Sequence, residues 1–292
     1  MKDRILKLGI PKGSLQDATI NLFRKSGWKI TLHHRNYFPD IDDPDVRCTL
    51  CRAQEMPVYV EDGTLDVGLT GRDWILENEA DVVIVDELVY SKASNRPARW
   101  VLAVAGDSPY RRPEDLKGKK IATELENFTR RYFEDAGIPV EVEFSWGATE
   151  AKVVTGLADA IVEITETGTT IRAHGLRIIA ELLKTSTQII ANKEAWEDPW
   201  KRNKIMQMKT LLQGALKAES MVGLKMNVRE GDLSRVLDIL PSLTSPTTSN
   251  LYQKGWLSVE VVVDKGEVRD LVPRLMEIGV EGIIEYPLNK VI

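Results

Sequence analysis

The stretch Val162–Arg172, VEITETGTTIR, gathers four threonines, two glutamates and a glycine behind the apolar run LADAIVEI. Residues of this kind can hold a phosphate. Small side chains let the backbone approach a ligand, successive N–H groups can converge on anionic oxygens, and hydroxyls add donors. Thr165, Thr167, Gly168, Thr169 and Thr170 are the candidate contacts, and a helix resuming near Thr170 would bring its positive end to the same place. A threonine-capped bend would be written with the same letters. The local pattern leaves both readings open.

Two acids shift the balance. Asp159 precedes the apolar run and Glu163 lies inside it, where a carboxylate is costly without a partner. Beside a phosphate loop that partner can be a sugar diol or Mg²⁺. Asp159 could equally cap the preceding helix. Cationic candidates lie far upstream. Leu6–Ile10 reads as a strand that runs through Pro11-Lys12-Gly13-Ser14 into a helical rhythm ending at Gly27, and a strand, a glycine loop and a helix start make a ready anion site. Lys12 and Gly13 are therefore site candidates, with a solvated loop lysine as the plain alternative. Arg52 could meet an anion or pair with Glu55. Gly71 and Asp73 open a further helix, where a carboxylate is welcome in any case.

The elements that must position these residues show a weak internal repeat. VYVEDGTLDVGLTG (58–71) and KVVTGLADAIVEIT (152–165) each read as a helix ending at a glycine, two residues, an aspartate and an apolar strand with a threonine-containing exit. The paired positions are Gly63 with Gly156 and Asp66 with Asp159. They are expected to be equivalent units of two α/β lobes: a first lobe of residues 1–95 with 186–218, and a second of 96–185. Two chain crossings would leave a cleft between the lobes, where pockets preferentially form. Tyr90–Arg99, carrying Lys92, Arg96 and Arg99, is the expected inter-lobe segment. Residues 219–292 change texture to a β-α-β-β-α-β order. The predicted fold is thus an α/β clamshell of the periplasmic-binding-protein type followed by a ferredoxin-like, ACT-like α+β domain.

Bulk properties narrow the function classes. A formal charge of −5 over 292 residues gives no global basic footprint for nucleic acid. No apolar run approaches the ~20 residues that span a bilayer, and the charged start does not resemble a signal segment, so a cytoplasmic protein without a membrane partner is expected. Cys48 and Cys51 fall three apart on an alternating strand, pointing to opposite faces. A disulfide between them is disfavoured, and both are expected to be small buried side chains.

The run from Glu150 through Gly156, Ala158, Ile161, Glu163, Ile164, Thr167 and Gly168 to Thr170 resembles the phosphoribosyl-pyrophosphate loop of the ATP phosphoribosyltransferase family, the first enzymes of histidine biosynthesis. LGIPKGSL (8–15) and RAQEMPVYVEDGTLDVGLTGRD (52–73) are similar to two other family segments, and the C-terminal module, with SPTT from Ser245, to the regulatory domain of its long form. Glu163 stands where the family commonly has Asp, and Ile171 where Leu or Met is common. The resemblance implies that N1 of ATP is joined to C1 of phosphoribosyl pyrophosphate with inversion, releasing pyrophosphate. It implies Mg²⁺ acting through the pyrophosphate, with Lys12 and Arg52 neutralising the same group and its direct protein ligands open. Asp159 and Glu163 would hold the ribose hydroxyls or balance the ribosyl cation. Gly13, Gly71, Asp73, Thr165, Thr167, Gly168, Thr169 and Thr170 would bind substrate. It further implies inhibition by histidine at Ser245, Thr247 and Thr248, and a homo-hexamer, with a dimer as the alternative. A solute receptor sharing the clamshell, or a salvage phosphoribosyltransferase sharing only the loop, are the competing readings.

Overall fold

The computed structural model describes residues 4–33, 36–90, 97–241 and 245–292. Lys92 and Arg96 lie outside the described residues. The chain forms two compact units, one of Met1–Arg24 and Trp28–Lys209 and the other of Lys25–Gly27 and Thr210–Ile292.

The first unit is built on two five-stranded sheets. One has the order Val46–Arg52, Leu6–Lys12, Val67–Gly71, Thr187–Ala191, Val83–Leu88. Its first three strands are parallel and Thr187–Ala191 runs antiparallel to both neighbours. The other has the order Leu176–Thr185, Ala98–Ala105, Ala160–Thr165, Lys120–Thr123, Glu141–Phe144. Parallel strands need both faces covered and read as near-continuous apolar runs, which is why Leu6, Leu8, Ile10 and Ala160, Ile161, Val162 are all buried.

The repeat is structural. Helix Met56–Glu61 leads to strand Val67–Gly71, and helix Thr149–Val154 leads to strand Ala160–Thr165. Gly63 and Gly156 both adopt left-handed backbone, with φ of +78° and +73°. Asp66 and Asp159 then do the same work. Asp66 accepts the Lys7 N–H at 2.8 Å, and Asp159 accepts the Lys120 N–H at 3.0 Å. Each aspartate clasps the start of a parallel strand pair.

The helix expected to resume near Thr170 forms over Thr169–Ala173, and the ten-residue strand Leu176–Thr185 follows it, pairing along Ala98–Ala105.

The second unit is a four-stranded antiparallel sheet ordered Thr247–Asn250, Trp256–Asp264, Met221–Arg229, Glu281–Pro287. Helices Leu233–Leu237 and Lys265–Ile278 complete a ferredoxin-like order. Leu224, Met226, Val228, Val259 and Leu275 form its core.

Candidate active site

Strands Leu6–Lys12 and Val46–Arg52 pair so that Lys12 and Arg52 are Cα partners at the carboxyl ends of a parallel ladder, the usual place for ligands in open α/β sheets. The Lys12 ammonium lies over the Tyr37 ring, 4.1 Å from its centroid. Arg52 is exposed, its guanidinium 6.0 Å from the centre of the Trp146 ring. Among the described residues neither cation has an ion-pair partner, and Arg52 does not pair with Glu55. Gly13 follows Lys12 with φ of +106° and open space where a Cβ would stand. An L side chain there would be strained by the backbone rather than by a neighbour.

Lys12, Gly13 and Arg52 line a cavity of about 1960 Å³ whose wall also includes Thr165, Thr167 and Thr170. A pocket for one small ligand is typically about 300–1,000 Å³, so this space has room for two. Thr165 Oγ1 accepts the Gly168 N–H at 2.8 Å, and the Thr167 and Thr169 hydroxyls share a 2.8 Å hydrogen bond. Gly168 has φ of +75°, and an added Cβ would meet Arg172 Nη1 at 2.8 Å. Arg172 Nη2 donates to the Thr167 carbonyl at 2.9 Å, which places a guanidinium beside the turn. The helix that follows has only five residues. Its dipole is therefore a minor source of positive potential beside Arg172.

Glu163 is half-buried on the strand entering this turn. Burial, with the Glu150 and Glu124 carboxylates adding to it, pushes its pKa up to about 7, against the Thr149 hydroxyl and the Ile164 N–H, which favour the charged form. A group poised there is matched to chemistry near neutral pH.

The structure does not bring every expected residue to this place. Asp159 begins the strand that Thr165 ends, roughly 20 Å away along the chain. There it clasps the Lys120 amide and pairs with Lys119 at 3.6 Å. It is a strand clasp, not a site residue. Asp73 borders the cavity but is buried, and both its oxygens are taken: Oδ2 accepts from Trp100 Nε1 at 2.7 Å and Oδ1 from Thr185 Oγ1 at 2.9 Å. Gly71 makes room for that carboxylate, since a Cβ would stand 2.0 Å from Asp73 Oδ1. Asp73 therefore braces the junction, and Gly71, which also lines the cavity, makes room for that brace. Arg99 pairs with Glu181 at 3.2 Å. Cys48 and Cys51 are free and buried, with burial pushing both thiols up to about 12, so neither is reactive. Ser245, Thr247 and Thr248 are exposed in the second unit, the threonines on the outermost strand of its sheet.

Among the described residues no three His, Cys, Asp or Glu side chains gather as a metal cage. Glu124 and Glu166 do line the cavity. That donor set fits a divalent ion held largely by substrate phosphates, the usual habit of Mg²⁺. No helix among the described residues is long and apolar enough to cross a membrane.

The HisG family, ATP phosphoribosyltransferase, matches residues 52–214, and the HisG C-terminal domain matches residues 218–290. The chain is 73% identical over 290 residues to an ATP phosphoribosyltransferase of Solidesulfovibrio magneticus, covering 99% of both chains. It is 70% identical over 290 residues to one of Nitratidesulfovibrio vulgaris, again covering 99% of both. Among solved structures it resembles the ATP phosphoribosyl transferase (HisG:HisZ) complex of Thermotoga maritima, with a TM-score of 0.63 and 30% identity over 73% of this chain and 99% of that one. It also resembles Tv2483 bound to L-arginine in fold alone, with a TM-score of 0.51 and 11% identity over 74% of this chain and 87% of that one.

Proposed function

The chain belongs to the ATP phosphoribosyltransferase family, which carries out the first step of histidine biosynthesis, and we propose that its reaction runs in the cavity bordered by Lys12, Arg52 and the Thr165–Thr170 turn. One observation supports this most: two cations without ion-pair partners among the described residues share a cavity with a threonine-rich turn, and that cavity has room for two substrates.

In this reading phosphoribosyl pyrophosphate lies with its 5′-phosphate on the turn of Thr167, Gly168, Thr169 and Thr170, whose hydroxyls receive it while Arg172 adds charge. Its diphosphate reaches Lys12 and Arg52. The electron pair of adenine N1 forms a bond to C1 as the C1–O bond breaks, and that bond's pair leaves on the diphosphate. Positive charge gathers on the ribose and negative charge on the leaving group. Catalysis is then mainly positioning and electrostatics. Glu163, once ionised, faces the ribose as positive charge builds on it, and that developing charge favours the ionised form. A divalent metal, for which Mg²⁺ is our choice, would help neutralise the diphosphate, with Glu124 and Glu166 as the nearby oxygen donors.

For the C-terminal module we infer a histidine-binding regulatory role, with Ser245, Thr247 and Thr248 as contacts and a homo-hexamer as the assembly. Exposed hydroxyls on an edge strand support it: they offer donors for an amino acid and leave room for a second copy to close the site. Mass spectrometry tests the catalytic reading. Full-length chain with ATP, phosphoribosyl pyrophosphate and Mg²⁺ should yield a species of the two substrates' combined mass less diphosphate. If no such species forms when pyrophosphatase draws the reaction forward, the reading fails.

A further inference from the structure

The turn between strand Glu141–Phe144 and helix Thr149–Val154 is strained where it need not be for connection alone. Gly147 and Ala148 both adopt left-handed backbone, with φ of +57° and +47°. For alanine that conformation costs about 1–2 kcal/mol. Strain of this kind persists where the surroundings enforce it, often at functional sites. Here Glu124, itself a cavity residue, accepts the Gly147 N–H at 3.1 Å. The turn is therefore tied to the site wall.

Its consequence is the placement of Trp146. The side chain is 76% exposed, an unusual position for the largest apolar residue. It is nonetheless supported: Phe144 meets it edge-on with ring centroids 4.9 Å apart. The Arg52 guanidinium lies over the ring at 6.0 Å, and Arg52 lines the cavity, so the indole neighbours the cavity wall through Arg52 without itself being part of the lining. The indole is thus an aromatic plate held at the edge of the substrate cavity, one edge braced and most of its surface open. Of the exposed aromatics that line the cavity, Tyr37 already carries the Lys12 ammonium 4.1 Å from its centroid, and Phe38, 65% exposed, has no cation over its ring among the described residues.

Chemistry says what belongs on such a plate. The attacking atom is part of a purine, and it must reach a carbon bonded to the diphosphate. The base is therefore confined to within about a ring's width of the cations that hold the diphosphate. Trp146 meets this requirement through its contact with Arg52. We propose that Trp146 binds the nucleotide substrate by stacking against its purine ring, holding the base at the cavity rim as N1 turns inward. The inference rests on the phosphoribosyl-transfer reading of the cavity. Stacking on an aromatic face tolerates any base, so Trp146 supplies affinity and orientation, while discrimination of adenine lies elsewhere.

The test is steady-state kinetics on full-length Trp146→Ala and Trp146→Phe, with each substrate varied in turn. Trp146→Ala should raise KM for ATP about tenfold, the scale of one lost stacking contact, with KM for phosphoribosyl pyrophosphate within about twofold of the parent. Trp146→Phe should recover most of the loss. Thermal unfolding of both variants should match the parent, because the side chain is exposed. An unchanged KM for ATP, or an equal rise for both substrates, overturns the proposal. ATP titration by calorimetry gives a second readout independent of turnover. If the parent chain makes no adduct, the reaction reading falls, and the same titration still decides: weaker ATP binding by Trp146→Ala supports the plate and equal binding refutes it.

Discussion

Asp73 Oδ2 accepts the indole N–H of Trp100 at 2.7 Å, and this bond ties the helix Arg72–Asn78 at the first sheet to strand Ala98–Ala105 of the second. Thr185, where the chain returns to the first sheet, closes the arrangement through Oδ1 at 2.9 Å. Asp73→Ala should leave the Trp100 and Thr185 donors buried and unpaired, lowering stability by about 2–4 kcal/mol. Chemical denaturation measures it. A substrate ligand would instead show a raised KM at unchanged stability.

Glu163→Gln should separate stability from activity. Its folded pKa, near 7, stands above the ordinary value of 4.5, so the folded chain holds the proton more tightly than the unfolded one between those values. Stability contributed by the protonated form is lost as pH rises through that window. The glutamine variant should therefore gain on the parent from about pH 4.5 to 7, by about 1–3 kcal/mol. Turnover should fall at least about tenfold, and the parent's loss of rate on acidification through pH ~7 should disappear. Glu163→Asp, shortening the reach by one methylene, should retain more activity than Glu163→Gln.

Gly168→Ala tests the cradle. The new Cβ would press on Arg172 Nη1 and, at 3.1 Å, on Ile178 Cδ1, at a φ that alanine adopts poorly. KM for phosphoribosyl pyrophosphate should rise by more than about tenfold, with KM for ATP little changed. Substrate-varied kinetics reads this directly. Equal effects on both substrates would move the 5′-phosphate elsewhere.

Regulation is tested on the second unit. Thr247→Ala with Thr248→Ala should raise the histidine concentration for half-inhibition by about tenfold, leaving kcat without histidine unchanged. Inhibition curves that superimpose on the parent's would place the effector site off this strand.

Much of this site was legible in the sequence because its residues sit at strand ends, where an apolar run stops and polar residues begin. Lys12 and Thr165–Thr170 were readable in that way. Asp159 was misread although the correcting signal was present. Its repeat partner Asp66 occupies the same turn in the first lobe, far from any phosphate loop, and the two make the same clasp. A role shared by both copies belongs to the fold. The buried brace of Asp73 could not be read locally, since Thr185 lies 112 residues away. Trp146 was passed over for the same reason, since an exposed tryptophan gains meaning only beside Arg52. Arg172 was passed over although its partner, the Thr167 carbonyl, lies only five residues back.

The bond made in the reaction is the most direct test of the central claim. Product from full-length chain, ATP, phosphoribosyl pyrophosphate and Mg²⁺ should be isolated and its glycosidic linkage assigned by NMR. The account expects ribose C1 joined to adenine N1, with configuration at C1 inverted from the substrate's. Attachment at another nitrogen, or retained configuration, would contradict it.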